Sequence, residues 1–351
     1  MNKKQFRKII LFLGILVVAL LAYLLFNRLA PQTVWKNDDV GALTNSSTPY
    51  VYFSQLDGIG VSSKSEEIPA VVAIMIDNHP DARAQQSGMD RANIVYEVPV
   101  EGGISRFFAV FDKSQTVEKV GPVRSARPYF VDWLREYGDA LYMHSGGSPD
   151  ALEKIKSDGL FDANEFWWGS YYSRDNNFDA PHNLFTSSAN WQKIFVDYGN
   201  KHLSVGWVGW KFNTTSADFS GTDISAIKIK YNAYYIVEWK YDPVAKNFVR
   251  FLNGEQYKTV DGSAVTANTV AVQTVTQKIL DEVGRLELGT IGNGEARVLR
   301  GGKMTSGSWK KDNASGRTLF LDENGQEIEF MPGKIWVQIV PRATEIEITK
   351  V

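Results

Sequence analysis

The chain has 351 residues, 44% hydrophobic and 22% charged, enough for roughly two globular domains and too apolar for a disordered chain. It has no cysteine, which excludes disulfides, zinc–thiolate and iron–sulfur sites, and a cysteine nucleophile. The net charge is −2, but Lys3, Lys4, Arg7 and Lys8 are four of the 38 basic residues, so the remainder carries 34 basic against 40 acidic residues, a balance of −6. Bulk charge of that sign does not suit a nucleic-acid backbone, and no nucleic-acid partner is expected.

Ile9 to Phe26 is an uncharged run of 18 residues. As a helix it spans about 27 Å, close to the apolar thickness of a bilayer. No small-residue cleavage site follows: Leu25, Phe26, Asn27 and Arg28 are all large. The four basic residues ahead of the run predict a cytoplasmic N-terminus and a body outside. The expected topology is therefore a single-pass anchor in the cell membrane, residues 1–26, then a tether over 27–68. Asn45-Ser46-Ser47-Thr48-Pro49 and Ser62 to Glu67 are polar turn-rich stretches. Tyr50 to Ile59 between them is more apolar and is expected to dock on the body.

A first domain is expected over 69–205. Ala70 to Ile76 predicts a buried strand, as do Asn93 to Val98 and Ile104 to Phe111. Ser125 to Tyr137 predicts a helix, with Phe130, Trp133, Leu134 and Tyr137 on one face and Ser125 as its cap. Ala140 to Met143 predicts a strand; Pro149 to Ile155 and Ala189 to Tyr198 predict helices. Strands alternating with helices predict an α/β or α+β domain. From about Trp210 the pattern changes, and a smaller, mostly β domain is expected over 206–351. Its predicted strands are Ile227–Tyr231, Tyr234–Tyr241, Asn247–Leu252, Thr269–Gln277, Ala296–Arg300, Thr318–Asp322 and Ile335–Val340. Asn253-Gly254 and Asn324-Gly325 predict hairpin turns. Gly292-Asn293-Gly294 and Gly301-Gly302 are expected to be turns as well.

Polar residues gather at the ends of the first domain's apolar runs, where binding groups sit on rigid scaffolds. In His144-Ser145-Gly146-Gly147-Ser148-Pro149, Ser148 suits a helix N-cap and Pro149 the first helical position. Gly146 and Gly147 permit close backbone approach to an anion or a sugar hydroxyl. Arg124 and Arg127 flank a helix start, where two cations oppose the helix dipole, a conflict that points to an anionic partner or to internal pairs with Glu97 or Glu101. Arg106 and Asn183 join the candidate ligand contacts. His144 and His182 are candidate general bases, with Glu101 or Asp77 as carboxylate partners. His144, His182 and Glu101 also have the chemistry of metal ligands, but no metal-binding spacing is present, and no metal or cofactor is expected. Glu97 and Glu101 on one strand face would stand about 13 Å apart, too far for a glycosidase pair. Ser125 and Ser148 lie in no nucleophile elbow. Phe161, Phe166, Trp167, Trp168, Tyr171 and Tyr172 form an aromatic stretch, either core or a platform for sugar rings.

Met75-Ile76-Asp77-Asn78, Gln86-Ser87-Gly88-Met89, Ala92 to Glu97, Glu101 to Arg106, Gly121 to Arg127, His144 to Pro149 and Ala180-Pro181-His182-Asn183-Leu184 together resemble the YerB-like lipoproteins. The resemblance continues through Gly301-Gly302-Lys303, Ser308-Trp309 and Pro332 to Trp336, and covers about residues 55–341. That bacterial envelope family has N- and C-terminal domains both named as of unknown function. The resemblance implies an extracytoplasmic address and a two-domain plan, and it supplies no reaction or catalytic residues. One departure matters: a lipobox cysteine is absent, so the apolar span takes the place of a lipid. The expected function is an envelope binding or accessory protein whose polar cleft recognises a wall glycan, an anionic polymer or a protein partner. The alternative is a hydrolase or transferase of wall polymer using a His/carboxylate pair.

Overall fold

All seven residues of strand β1 (Val71–Asp77), the first to join the main sheet, are buried. Its apolar side chains divide between two cores: Val72, Ile74 and Ile76 pack in one, and Val71, Ala73 and Met75 in the other. Successive strand residues point to opposite faces, so a strand apolar throughout requires a sheet covered on both sides. This computed structural model describes residues 51–202, 206–213 and 219–351. The expected span at 9–26 and the tether up to residue 50 lie outside them. Among the described residues no helix is long and apolar enough to cross a membrane.

The N-terminal region is mixed α/β. After β1 come β2 (Ile94–Pro99), β3 (Ser105–Asp112), helix α1 (Pro128–Leu134), β4 (Leu141–His144), helix α2 (Pro149–Ser157), β5 (Asp162–Asn164) and helix α3 (Ser188–Tyr198). β1 pairs antiparallel with β3 and parallel with β4. Phe130, Trp133 and Leu134 of α1 and Ala151 and Ile155 of α2 cover one face. Trp191 and Ile194 of α3 help cover the other.

The C-terminal region is mostly β. It contains β6 (Thr222–Asn232), β7 (Tyr235–Asp242), β8 (Asn247–Leu252), β9 (Thr269–Val275), β10 (Gly292–Arg300), β11 (Lys303–Lys311), β12 (Leu319–Asp322), β13 (Ile335–Pro341) and β14 (Glu345–Lys350). The two regions share one sheet. β13 runs parallel to β9 on one side and to β2 on the other, with Ile335 opposite Ile94 and Gln338 opposite Glu97. Both hydrophobic cores consequently draw residues from both regions: Ile76 and Phe107 share one with Trp239 and Trp336.

Two local expectations need correction. Helix α1 begins at Pro128, with Arg127 as its extended N-cap and no side-chain capping bond. Ser125 is not the cap, because proline disfavours a helical residue before it and itself suits the first helical position. Gly292-Asn293-Gly294 opens strand β10 instead of forming a turn. A Cβ on Gly294 would lie 2.6 Å from both Thr274 O and Trp309 Nε1, so glycine there permits close strand approach. Gly301-Gly302, by contrast, is the β10–β11 turn, with φ of 55° and 75°. The docking expected of Tyr50 to Ile59 is seen among its described residues. Leu56 is fully buried in the same core as Trp210. Asn93 Nδ2 donates to Asp57 Oδ2 at 2.7 Å.

Candidate functional site

β1 and β4 run parallel, so Asp77 and His144 finish at the same end of the sheet. β3 runs the other way and starts there, which sets Arg106 opposite Asp77. The extended segment 121–127 then crosses this end. Arg124 N donates to Met75 O at 2.9 Å, Ser145 N to Arg124 O at 3.1 Å and Ala126 N to Gly146 O at 3.0 Å. The predicted site residues, scattered over 100 positions of sequence, are thereby brought to one edge.

Asp77 is the centre of the cluster. Its side chain is only 1% exposed. Oδ1 accepts from His79 N at 3.0 Å. Oδ2 lies 2.7 Å from His182 Nδ1 and 3.0 Å from Arg124 Nε. Burial pushes the Asp77 carboxyl up, but the His79 N–H, the nearby Arg124 and Arg106 charges and His182 together hold it below its ordinary value. An ionised carboxylate accepts only, so His182 Nδ1 donates to it and Nε2 carries the lone pair. A cavity of about 380 Å³ opens beside His182, lined also by Asp81, Gln85, Asn177, Phe178 and Asp179. Asn183 anchors the same loop: its Oδ1 accepts from Arg174 Nη1 at 2.9 Å and its Nδ2 donates to Phe178 O at 3.1 Å.

The arginines differ in freedom. Arg127 is fully engaged: Nε and Nη2 donate to the two oxygens of Glu101 at 2.5 and 2.9 Å, and Nη1 to Ala126 O at 2.8 Å. Burial pushes the Glu101 carboxyl up, but Arg127 outweighs it and holds it below its ordinary value. Arg106 is buried, with Nη1 donating to Ser125 O at 2.7 Å and Nε without a hydrogen bond. Burial, reinforced by Arg127, lowers it to about 10, so it stays charged at neutral pH. Arg124 is the most accessible of the three, with 28% of its side chain exposed. Arg83 adds a fourth guanidinium, its Nε donating to Asn78 Oδ1 at 3.3 Å.

The 144–148 segment lies at this edge as a brace. His144 is fully buried, and its ring nitrogens face Gly146 O at 2.7 Å and Asp162 Oδ1 at 2.8 Å. Neither nitrogen is free to act as a base. Gly146 N donates to Asn164 Oδ1 at 2.9 Å and Ser148 N to Ala126 O at 3.3 Å. Ser148 Oγ accepts from Ala151 N at 3.4 Å, the expected cap. Gly146 has φ of 62°, and a Cβ there would lie 3.0 Å from the Phe166 ring. Gly147 is hemmed in by Leu152. The expected anion cradle is therefore occupied by the fold's own hydrogen bonds. The suggested metal set of His144, His182 and Glu101 does not form, because His144 and Glu101 are each committed to other partners.

One feature escaped the sequence reading. Glu97 pairs with Arg250 of β8, both fully buried, and not with Arg124 or Arg127. Ser105 Oγ donates to Glu97 Oε1 at 3.0 Å, and Tyr235 OH donates to the same oxygen. Asn78, Gln86 and Tyr257 extend this network back to the Asp77 backbone carbonyl. The available signal was a charge of opposite sign in each of two otherwise apolar strands, since such residues are buried only when paired.

Residues 58–201 match the family described as protein of unknown function (DUF3048) N-terminal domain, and residues 227–337 match its C-terminal domain. The chain is 32% identical over 292 residues to "Putative lipoprotein YerB" of Bacillus subtilis (strain 168), covering 80% of this chain and 83% of that protein. It is also similar to the crystal structure of YerB from Bacillus subtilis, with a TM-score of 0.74 at 30% identity over 84% of this chain and 99% of that one. Sequence, both domain matches and fold agree, and the chain belongs to the YerB-like family of paired N- and C-terminal DUF3048 domains.

Proposed function

We propose that this protein is an envelope binding protein, held to the cell membrane by residues 9–26 with its body outside, and that it recognises an anionic wall component. The carrying observation is the charge arrangement at the sheet end. Arg83, Arg106, Arg124 and Arg127 gather there, and Asp77 and Glu101 are the acids paired with them. The partly exposed Arg124 guanidinium beside His182 offers the bidentate donor geometry that suits a phosphate or carboxylate. The backbone of Gly146, Gly147 and Ser148 frames this surface, and Asn183 fixes the loop that carries His182. Kinship with a protein named as a lipoprotein supports attachment to a membrane, and the uncharged run supplies the means. Full-length protein should bind a poly(polyol phosphate) and not a neutral glycan, with affinity falling as salt rises. Equal binding of both polymers would defeat this reading.

A second reading is favoured by the Asp77–His182 pair, a base with its orienting carboxylate 2.7 Å away. On that reading the protein cleaves or transfers wall polymer, with His182 as base. Mass analysis of wall fragments after incubation separates the two: new products that vanish in His182→Gln would establish the second, and unchanged fragments support binding alone.

A further inference from the structure

We infer that His79, Asp81 and His182 form a site for one divalent transition-metal ion of the zinc class, at the mouth of the cavity beside β1. The ligating atoms of these three residues all lie within 4.8 Å of one another. His79 Nδ1 and Asp81 Oδ2 are 3.4 Å apart. Two tetrahedral ligands with bonds of about 2.0–2.1 Å stand about 3.3–3.4 Å apart, so this pair already has the separation a metal needs.

His182 supplies the fixed third ligand. Its Nδ1 is tied to the buried Asp77 carboxylate at 2.7 Å, and its backbone carbonyl accepts from Gln85 Nε2 at 3.0 Å. A carboxylate on one imidazole nitrogen fixes the tautomer, orients the ring and makes the other nitrogen a better metal ligand. Asp77 is itself held by His79 N and Arg124. The outer support of a metal site is thus in place on the buried side.

The other two ligands have room to close. The side chains of His79 and Asp81 are 42% and 74% exposed, against 14% for His182. The His79 and His182 rings now stack with centroids 4.9 Å apart and planes 14° from parallel. Imidazole lone pairs lie in the ring plane, so binding requires His79 to tilt out of this stack. The cost is one long hydrogen bond, Asp81 N to His79 Nδ1 at 3.3 Å. Two imidazoles and one carboxylate suit zinc, cobalt or nickel, whereas calcium and magnesium prefer all-oxygen shells. Three protein ligands leave a fourth position open toward the cavity of about 380 Å³. That position would accept water or an oxygen of an incoming ligand.

The test uses full-length protein titrated with Co²⁺, read by its visible absorption, and with Zn²⁺, read by calorimetry. One ion per chain is expected, with the absorption of a low-coordinate cobalt site. His79→Ala and Asp81→Asn change exposed residues and should leave the fold intact while lowering affinity at least tenfold. Asp77→Asn should lower it by about 10–100-fold, the usual effect of losing an outer-shell partner. His202→Ala should leave it unchanged. No saturable binding, or binding that survives both His79→Ala and His182→Ala, would overturn the assignment. The anion reading is tested in metal-free buffer, so failure of one leaves the other standing.

Discussion

Glu97 and Arg250 meet in a fully buried ion pair, Arg250 Nη2 lying 2.9 Å from Glu97 Oε1 and 3.0 Å from Oε2. β2 supplies one partner and β8 the other, so the pair ties the N-terminal region to the C-terminal one. Burial alone would lower Arg250, but Glu97 and the neighbouring Tyr235 and Tyr257 outweigh it and keep the guanidinium more firmly charged than usual. Arg250 also lies over the Tyr257 ring, 4.2 Å from its centroid.

Removing one partner leaves an uncompensated buried charge. Arg250→Met should lower unfolding stability by about 3–5 kcal/mol, measured by urea denaturation. Arg250→Met combined with Glu97→Gln should cost less than the two single changes added together. Full additivity would show that the two side chains do not act as a pair.

Glu101 predicts an acid limb. Its folded-state carboxyl lies below its ordinary value because Arg127 outweighs burial. The resulting stabilisation is fully present above the unfolded value near 4.5 and is lost as pH falls through the lower folded-state value. Denaturation midpoints followed from pH 6 to pH 2.5 should fall more steeply in wild type than in Glu101→Gln. Parallel curves would remove this pair as a cause.

Gly307 lies directly against Leu321 O of the neighbouring β12, closer than any Cβ tolerates. Gly307→Ala should therefore destabilise by about 1–3 kcal/mol through forced strand displacement. Gly169 has nothing within 4 Å of a built Cβ, and Gly169→Ala should change the melting temperature little. Equal shifts in the two variants would contradict the packing account.

His144 serves the frame. Its two nitrogens hold the 144–148 loop to itself and to Asp162. His144→Ala should lower stability by about 1–3 kcal/mol, the cost of orphaned buried partners, while anion affinity per folded molecule stays unchanged. A loss of binding at unchanged stability would return His144 to the ligand-contacting set.

The apolar runs of β1, β2, β3 and β13 were legible because strands buried on both faces carry a near-continuous apolar signal. The clustering of Asp77, Arg124 and His182 was legible only as polar loops at strand ends; which carboxylate meets which cation depends on register. The start of α1 was misplaced because Ser125 offers good capping chemistry, and Pro128 overrules it three residues later. β11 and β14 escaped because their sequences are mostly polar and few of their residues are buried. Asp81 escaped because a single carboxylate in the short helix Pro80–Arg83 carries no pattern, and its closeness to His182 is made by folding alone.

On the proposed function, Arg124 reads an anion at the end of the sheet. The most direct measurement is the affinity of full-length wild type, Arg124→Lys and Arg124→Ala for a poly(polyol phosphate), each taken alongside its melting temperature. That role predicts tight binding by wild type, weaker binding by Arg124→Lys through loss of the bidentate fork, and at least tenfold loss in Arg124→Ala while the protein remains folded. Equal affinity in all three folded proteins would contradict it.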